Sequence, residues 1–332
     1  MIRLLMLLLC AIGLWLGGCG SDSGQEATAL PVAQKKLLLY SELDSKFTEN
    51  LLKAFNEEYK GKLQLSAVYE LKADGPKPDL VLAEQRTLNG LRLDQRLKPV
   101  AFAAGDRLPR EFRDDDLMWY GVFYDPTVFL VNQEFARKVG QRNIRSWNDL
   151  VGLSDIRIAL ENLTDSNSTK NFLGGLADYF GETESLNYLW NVNHHIDKYA
   201  KFPFTPIRIT AVGDADLAIT RRSYVFKYLE IRFPAYVVYP QEGAPANLYG
   251  LGIFRSCTDD VEALDFMEWM LSSDKVRAVA LEDATGYLFL LPRGINGQAA
   301  DPEKIWLNKS YLTLAEQEEL AAKWLERVRF SK

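Results

Sequence analysis

Short apolar runs alternate with helical stripes along this chain, and that alternation limits the fold more than any other feature. Leu37-Leu38-Leu39-Tyr40 is continuously apolar, as suits a strand buried on both faces. Ser41 and Asp44 follow as N-cap candidates, and Phe47, Leu51, Leu52, Phe55 and Tyr59 recur at helical spacing up to Gly61. Leu63 to Tyr69 alternates as a strand, and Asp79 to Ala83 is a second buried run. Strand, helix, strand in this order predicts βαβ units and a mostly parallel sheet.

The middle of the chain repeats the theme. Trp119 to Pro126 and Val128 to Val131 read as extended chain, Glu134 to Val139 as a helix, and Ser146 as the cap of another. Ile156 to Leu160 reads as a strand, with helices over Thr169 to Phe180 and Leu186 to Ala200. Ala215 to Thr220 is a strand leading into helix through Leu229. Pro234 to Tyr239 is extended, Gln241 to Ala246 a loop, and Leu248 to Phe254 apolar again. Helices follow over Val261 to Leu271 and Asp274 to Ala280, and Thr313 with Glu316 fits a capping box opening the last one. Trp119–Val131 and Pro234–Phe254 are the two segments where the chain crosses between halves. The expected fold is therefore α/β, with two lobes of mixed, mostly parallel sheet joined by a two-strand hinge. Residues 36–122 plus 245–332 are expected to form lobe 1, and 123–244 lobe 2 with the hinge strands.

The N-terminus sets the compartment. Arg3 precedes an apolar stretch from Leu4 to Leu16, and Leu16-Gly17-Gly18-Cys19 closes it. The order matches a secretory signal over residues 1–18, too short at about a dozen apolar residues to span a bilayer. Leu-Gly-Gly-Cys resembles the lipobox of bacterial lipoproteins, which implies cleavage before Cys19 and acylation of its sulfur and amine. Residues 19–35 are small, polar and aperiodic, a lipidated flexible tether. Several acyl chains hold a protein on a membrane durably. The expected location is the outer face of a bacterial cell membrane, or its periplasmic side.

Charge and cysteine usage exclude several classes. The net charge of −6 becomes −7 once Arg3 leaves with the signal, which argues against a nucleic-acid binder, since that would need a basic face. Of three cysteines, only Cys257 lies in the folded part, so no internal disulfide can form, and it reads as a passive small hydrophobe. No G-x-S-x-G, H-E-x-x-H, P-loop or G-x-G-x-x-G motif is present, which argues against an enzyme. His194 and His195 diverge by about 100° on a helix and cannot easily share an ion. Asp114-Asp115-Asp116 lacks calcium-loop spacing.

Several stretches resemble type II periplasmic binding proteins: Leu38 to Lys53, Pro78 to Leu82, and Phe123-Tyr124-Asp125-Pro126 with Phe129 to Asn132. Val212 to Ile219 and Val238 to Gly243 add to the likeness, which covers nearly all of the mature chain. The nearest subgroup is the ferric-iron-binding-protein-like solute receptors of ABC importers. The resemblance implies a non-catalytic receptor that closes two lobes on a small molecule or ion and hands it to an ABC permease and its ATPase. A monomer without a cofactor is expected.

Ligands of open α/β sheets sit beyond the carboxyl ends of the strands. The strand ends here offer Ser41, Glu42 and Asp44; Glu84; Ser166, Asn167, Ser168 and Thr169; and Arg221, Arg222 and Tyr224. The Ser166–Thr169 group lies at a helix start, where free N–H groups attract anions, although plain capping also explains it. The two arginines can fork onto a carboxylate or phosphate, or stand as a solvated pair. Iron-binding members are expected to carry a histidine, a glutamate and adjacent tyrosines in an N-N-Y-Y run, completed by a bound anion. Asp44 stands at the histidine position, Glu84 at the glutamate and Tyr224 at the second tyrosine. Arg221-Arg222-Ser223 replaces the rest, and two arginines repel a trivalent cation. The swap favours an anionic organic solute: a carboxylate, phosphonate or phosphate ester. Ferric iron held by Asp44, Glu84, Tyr224 and an anion is the alternative. A partner that presents its ligand to a sensor, or a hydrolytic lipoprotein enzyme, are the other classes.

Overall fold

A computed structural model describes residues 34–138, 144–229, 233–292 and 300–331. The signal, Cys19 and nearly all of the tether lie outside these residues. Among the described residues no helix is long and apolar enough to cross a membrane.

The first half runs β1 (Lys35–Ser41), α1 (Ser45–Glu58), β2 (Leu63–Val68), β3 (Leu80–Glu84), α2 (Gln85–Leu93), β4 (Leu97–Lys98) and α3 (Ala103–Asp106). β5 (Trp119–Asn132), α4 (Gln133–Lys138), α5 (Trp147–Gly152), β6 (Ile158–Glu161), α6 (Asn167–Phe180) and α7 (Glu182–Asn193) follow. Then come β7 (Ile196–Ala200), α8 (Thr205–Val212), β8 (Leu217–Arg221), α9 (Arg222–Leu229), β9 (Ala235–Val238) and β10 (Ala244–Phe254). α10 (Asp260–Ser272), α11 (Asp274–Glu282), β11 (Leu288–Phe289), β12 (Ile305–Trp306) and α12 (Leu314–Trp324) complete the chain.

The main strand order is β2-β1-β3-β10-β5-β8-β6-β7. β1 pairs parallel with β2 and β3, and β6 parallel with β7 and β8. β5 and β10 are antiparallel to each other and to the strands they join, β3 on one side and β8 on the other. The βαβ reading holds, and the two crossing segments are β5 and β10. β5 is a single strand running through Pro126, where two extended stretches were read.

Two large cores lie on this frame. One gathers Phe47, Phe55, Tyr120, Phe123 and Phe266; the other centres on Trp147 with Phe129, Leu176 and Trp324. Burying side chains of this size is worth roughly 1.5–3 kcal/mol each. The expected boundary gave 245–332 to lobe 1. Trp306, Leu320, Trp324 and Val328 instead join the Trp147 core, with α12 against α6. Thr313 and Glu316 form the expected capping box, so the cap was legible while the destination of the helix was not.

The helix read over Leu186 to Ala200 is also corrected. α7 ends at Asn193, and Ile196–Ala200 pairs with β6 as β7. His194 caps α7, and the His195 carbonyl accepts from the Ile158 amide at 2.7 Å, which places both histidines at this turn. Cys257 is buried, and burial pushes its thiol up to about 11. Asp114 and Asp116 both pair with Arg92, at 2.9 and 2.8 Å, so the acidic run is a turn held by a cation.

Candidate ligand cleft

The strand tips named from the sequence put their residues to different tasks. At the tip of β1, Ser41 is buried, shares a 2.8 Å hydrogen bond with Thr48 Oγ1 and accepts from the Leu43 amide at 3.2 Å. It fixes the turn into α1. Glu42 accepts from Tyr40 Oη at 3.0 Å, the Glu84 amide at 3.0 Å and Thr87 Oγ1 at 2.8 Å, which ties β1 to the start of α2. Glu84 accepts from Tyr249 Oη at 3.1 Å. Burial pushes the Glu84 carboxyl up, against the pull of Arg221, and Glu42 adds to the rise.

On the other side, Ser166 and Thr169 cap α6 reciprocally, each amide donating to the other hydroxyl at 3.2 Å. Asn247 of β10 donates to Ser168 Oγ at 2.6 Å and accepts from Asn171 at 2.7 Å, clamping the helix start to a crossing strand. Asn167 is left exposed at the first helical position.

At the tip of β8 the two arginines diverge. Arg221 Nη1 lies 3.7 Å from Asp125 Oδ2 and 3.5 Å from Tyr249 Oη, and its guanidinium covers the Tyr224 ring at 4.0 Å. Its Nε is buried without a hydrogen-bond partner. Burial opposes its charge, but Tyr249, Asp125 and Glu84 outweigh that and hold it cationic. Arg222 turns away: it donates to Tyr239 Oη and the Gly286 carbonyl and lies over Phe226.

Two adjoining spaces collect these groups. A cleft of about 590 Å³ has Glu42, Glu84, Arg86 and Thr87 on one wall and Ser166, Asn167 and Ser168 on the other. A narrow cavity of about 30 Å³ is lined by Glu161, Ser168, Thr169 and Arg221 among others, and Ser168 belongs to both. Asp44 opens elsewhere. It caps α1 through the Phe47 amide, lies 3.6 Å from Lys227 Nζ, and lines a hollow with Asp283 and Tyr287. Tyr224 packs edge-on against Phe204 at 5.0 Å. Asp44, Glu84 and Tyr224 therefore do not line one space, and among the described residues no group of three or more His, Cys, Asp or Glu side chains could hold a metal ion.

A family model for bacterial extracellular solute-binding proteins matches residues 50–306. The chain belongs to this family. A stretch of 217 residues is 27% identical to an uncharacterized protein of Haemophilus influenzae; it covers 61% of the chain, and the chain spans 61% of that relative's length. The periplasmic binding protein AfuA of Actinobacillus pleuropneumoniae, solved with exogenous fructose-6-phosphate, superposes with a TM-score of 0.64. Identity is 20%, over 90% of this chain and 99% of that one. Ferric iron-binding protein A of Mannheimia haemolytica, in an open conformation, gives 0.71 at 15% identity, over 89% and 99%. These likenesses establish the type II periplasmic binding fold.

In this solute-binding protein three residues beside the strand tips escaped the sequence reading. Asp125 is fully buried in β5 and accepts from the Ser223 amide at 2.9 Å and Ser223 Oγ at 2.6 Å. Tyr249 and Tyr287 pack near Glu84 with tilted rings whose centroids lie 5.2 Å apart, and burial drives both phenols up. A carboxylate inside an otherwise apolar crossing strand was the one signal that could have singled out Asp125.

Proposed function

We propose that the protein is an exported, Cys19-lipidated receptor that captures a small anionic organic solute between two closing lobes and delivers it to an ABC permease. It is not an enzyme in this reading. The observation that carries it is Arg221: a largely buried cation with an unpartnered Nε, facing the start of α6 across a narrow cavity. An orphaned buried donor costs about 1–3 kcal/mol, which an anion bound there would offset. The free amides and dipole of α6 act in the same direction. Closure is favoured because only the closed form brings the Glu42–Glu84 wall and the Ser166–Ser168 wall onto one solute. The lobes in this reading are 36–122 with 245 to about 305, and 123–244 with the chain from Trp306 onward, α12 included, added to it.

Iron is the weaker reading for this chain, because Asp44 faces Lys227 and the Tyr224 ring lies beneath Arg221. Native mass spectrometry of protein from its host separates the two. An added mass of a small organic anion is expected; a mass of iron with or without an anion would overturn the assignment. Cys19→Ser is expected to release the protein in soluble form, and retention on membranes would remove the lipid anchor.

A further inference from the structure

Arg86 stands out among the cleft residues that the proposed function does not use. It lies in the first turn of α2, on the wall carrying Glu42 and Glu84, and faces Ser166 to Ser168 across the cleft. Its Nη1 is buried and has no hydrogen-bond partner. It is the one cation among the cleft-lining residues, as Arg221 is in the cavity that shares Ser168. Two guanidinium groups, each lining one of the two spaces that meet at Ser168, thus each hold an unanswered donor, while Arg222 is occupied elsewhere.

The directions of these donors restrict what can meet them. Arg221 turns its Nη1 toward Asp125 and Tyr249, while its buried Nε has no hydrogen-bond partner. A planar carboxylate is matched by one fork from one side. Single donors arriving from two walls, with helix amides between them, match a tetrahedral group with three terminal oxygens and close to two charges. The neighbouring carboxylates argue in the same sense. Glu42 and Glu84 would repel a second acidic group but accept from hydroxyls.

We infer that Arg86 is a specificity-determining residue that grips a phosphate monoester together with Arg221, and that the body of the solute is a polyol held at Glu42 and Glu84. This rests on the anionic-solute reading above. Arg86 acts from lobe 1, so it contributes only when the lobes close.

The test is calorimetric titration of the purified protein, stripped of solute, with fructose 6-phosphate, inorganic phosphate, fructose and citrate. Wild type is expected to bind fructose 6-phosphate. Arg86→Gln should weaken that binding at least tenfold with an unchanged melting temperature, and Arg86→Lys should recover part of it. Asn167→Asp supplies a variant that cannot fail by unfolding: a carboxylate in the first turn of α6 favours the helix yet repels the phosphate, so affinity should fall while stability holds or rises. Wild-type affinity in both Arg86→Gln and Asn167→Asp would overturn the assignment. So would a wild type that binds citrate but neither phosphate compound, and that outcome would leave the anionic-solute reading standing. A wild type that binds none of the four and retains iron would overturn both.

Discussion

Arg221 Nη1 stands 3.7 Å from Asp125 Oδ2, linking the tip of β8 to the middle of the crossing strand β5. Asp125 also accepts both the amide and the hydroxyl of Ser223, so one buried carboxylate positions the start of α9 and the arginine together. Replacing Arg221 with Gln leaves Asp125 buried beside a neutral group. Breaking one side of a buried pair in this way costs about 3–5 kcal/mol. Arg221→Gln is therefore expected to lower both the urea midpoint and the affinity for an acidic solute. Adding Asp125→Asn should restore much of the stability but none of the affinity. Restored affinity in the double variant would assign Arg221 a purely structural role.

Arg222 should behave differently although it is adjacent in sequence. Its donors already meet Tyr239 Oη and the Gly286 carbonyl. Gly286 has a φ of +70°, and a Cβ there would come within 2.7 Å of Ser223 Cα, so this segment lies hard against the start of α9. Arg222→Ala is expected to cost about 1 kcal/mol of stability, with solute affinity changed far less than by Arg221→Gln. Equal losses of affinity in the two variants, measured by calorimetry, would return Arg222 to the binding surface.

The difference between these neighbours marks the limit of what the chain spells out locally. The sequence showed that Arg221 and Arg222 follow a strand, because Leu217 to Ile219 is a short apolar run just before them. Which one faces the cleft depends on Asp125 and Gly286, nearly a hundred residues before and over sixty after them. The same holds for Asp44, whose capping role was legible and whose separation from Glu84 was not. Buried parallel strands such as Leu80–Glu84 were read well because both faces are apolar. β7 was taken for helix because it lies at the end of the strand order and is half exposed, so little apolar pattern distinguishes it.

Acidification offers a test of the cleft as a whole. Burial raises the carboxyls of Glu84 and Glu161 above their ordinary values. In the window between the ordinary and raised values the folded protein holds more protons than the unfolded chain, so this contribution to stability grows as pH falls. Each proton taken up also removes a negative charge facing the solute. Affinity for an acidic solute is expected to rise as pH drops from 7 toward the raised values, and Glu84→Gln should flatten that rise. A solute affinity independent of pH in wild type would place these carboxyls away from the bound group.

The C-terminal helix tests where the lobes divide. Trp324 is fully buried beside Tyr199, its ring edge-on at 5.5 Å, and Asn193 donates to the Val328 carbonyl at 3.1 Å. Lys323 pairs with Glu182 at 3.0 Å, so α12 is fastened to α7 by charge as well as by packing. Trp324→Ala removes a large side chain from a closed core and is expected to cost about 3–5 kcal/mol. Because the Trp147 core is separate from the one around Phe47 and Phe266, the loss should be local. Hydrogen exchange is expected to quicken in α6, α7 and β6 while β1, β2 and β3 keep their protection. Equal acceleration in both sets would mean that the two cores open as one cooperative unit, and a hinge between independently stable lobes would then be the wrong picture of how this receptor moves.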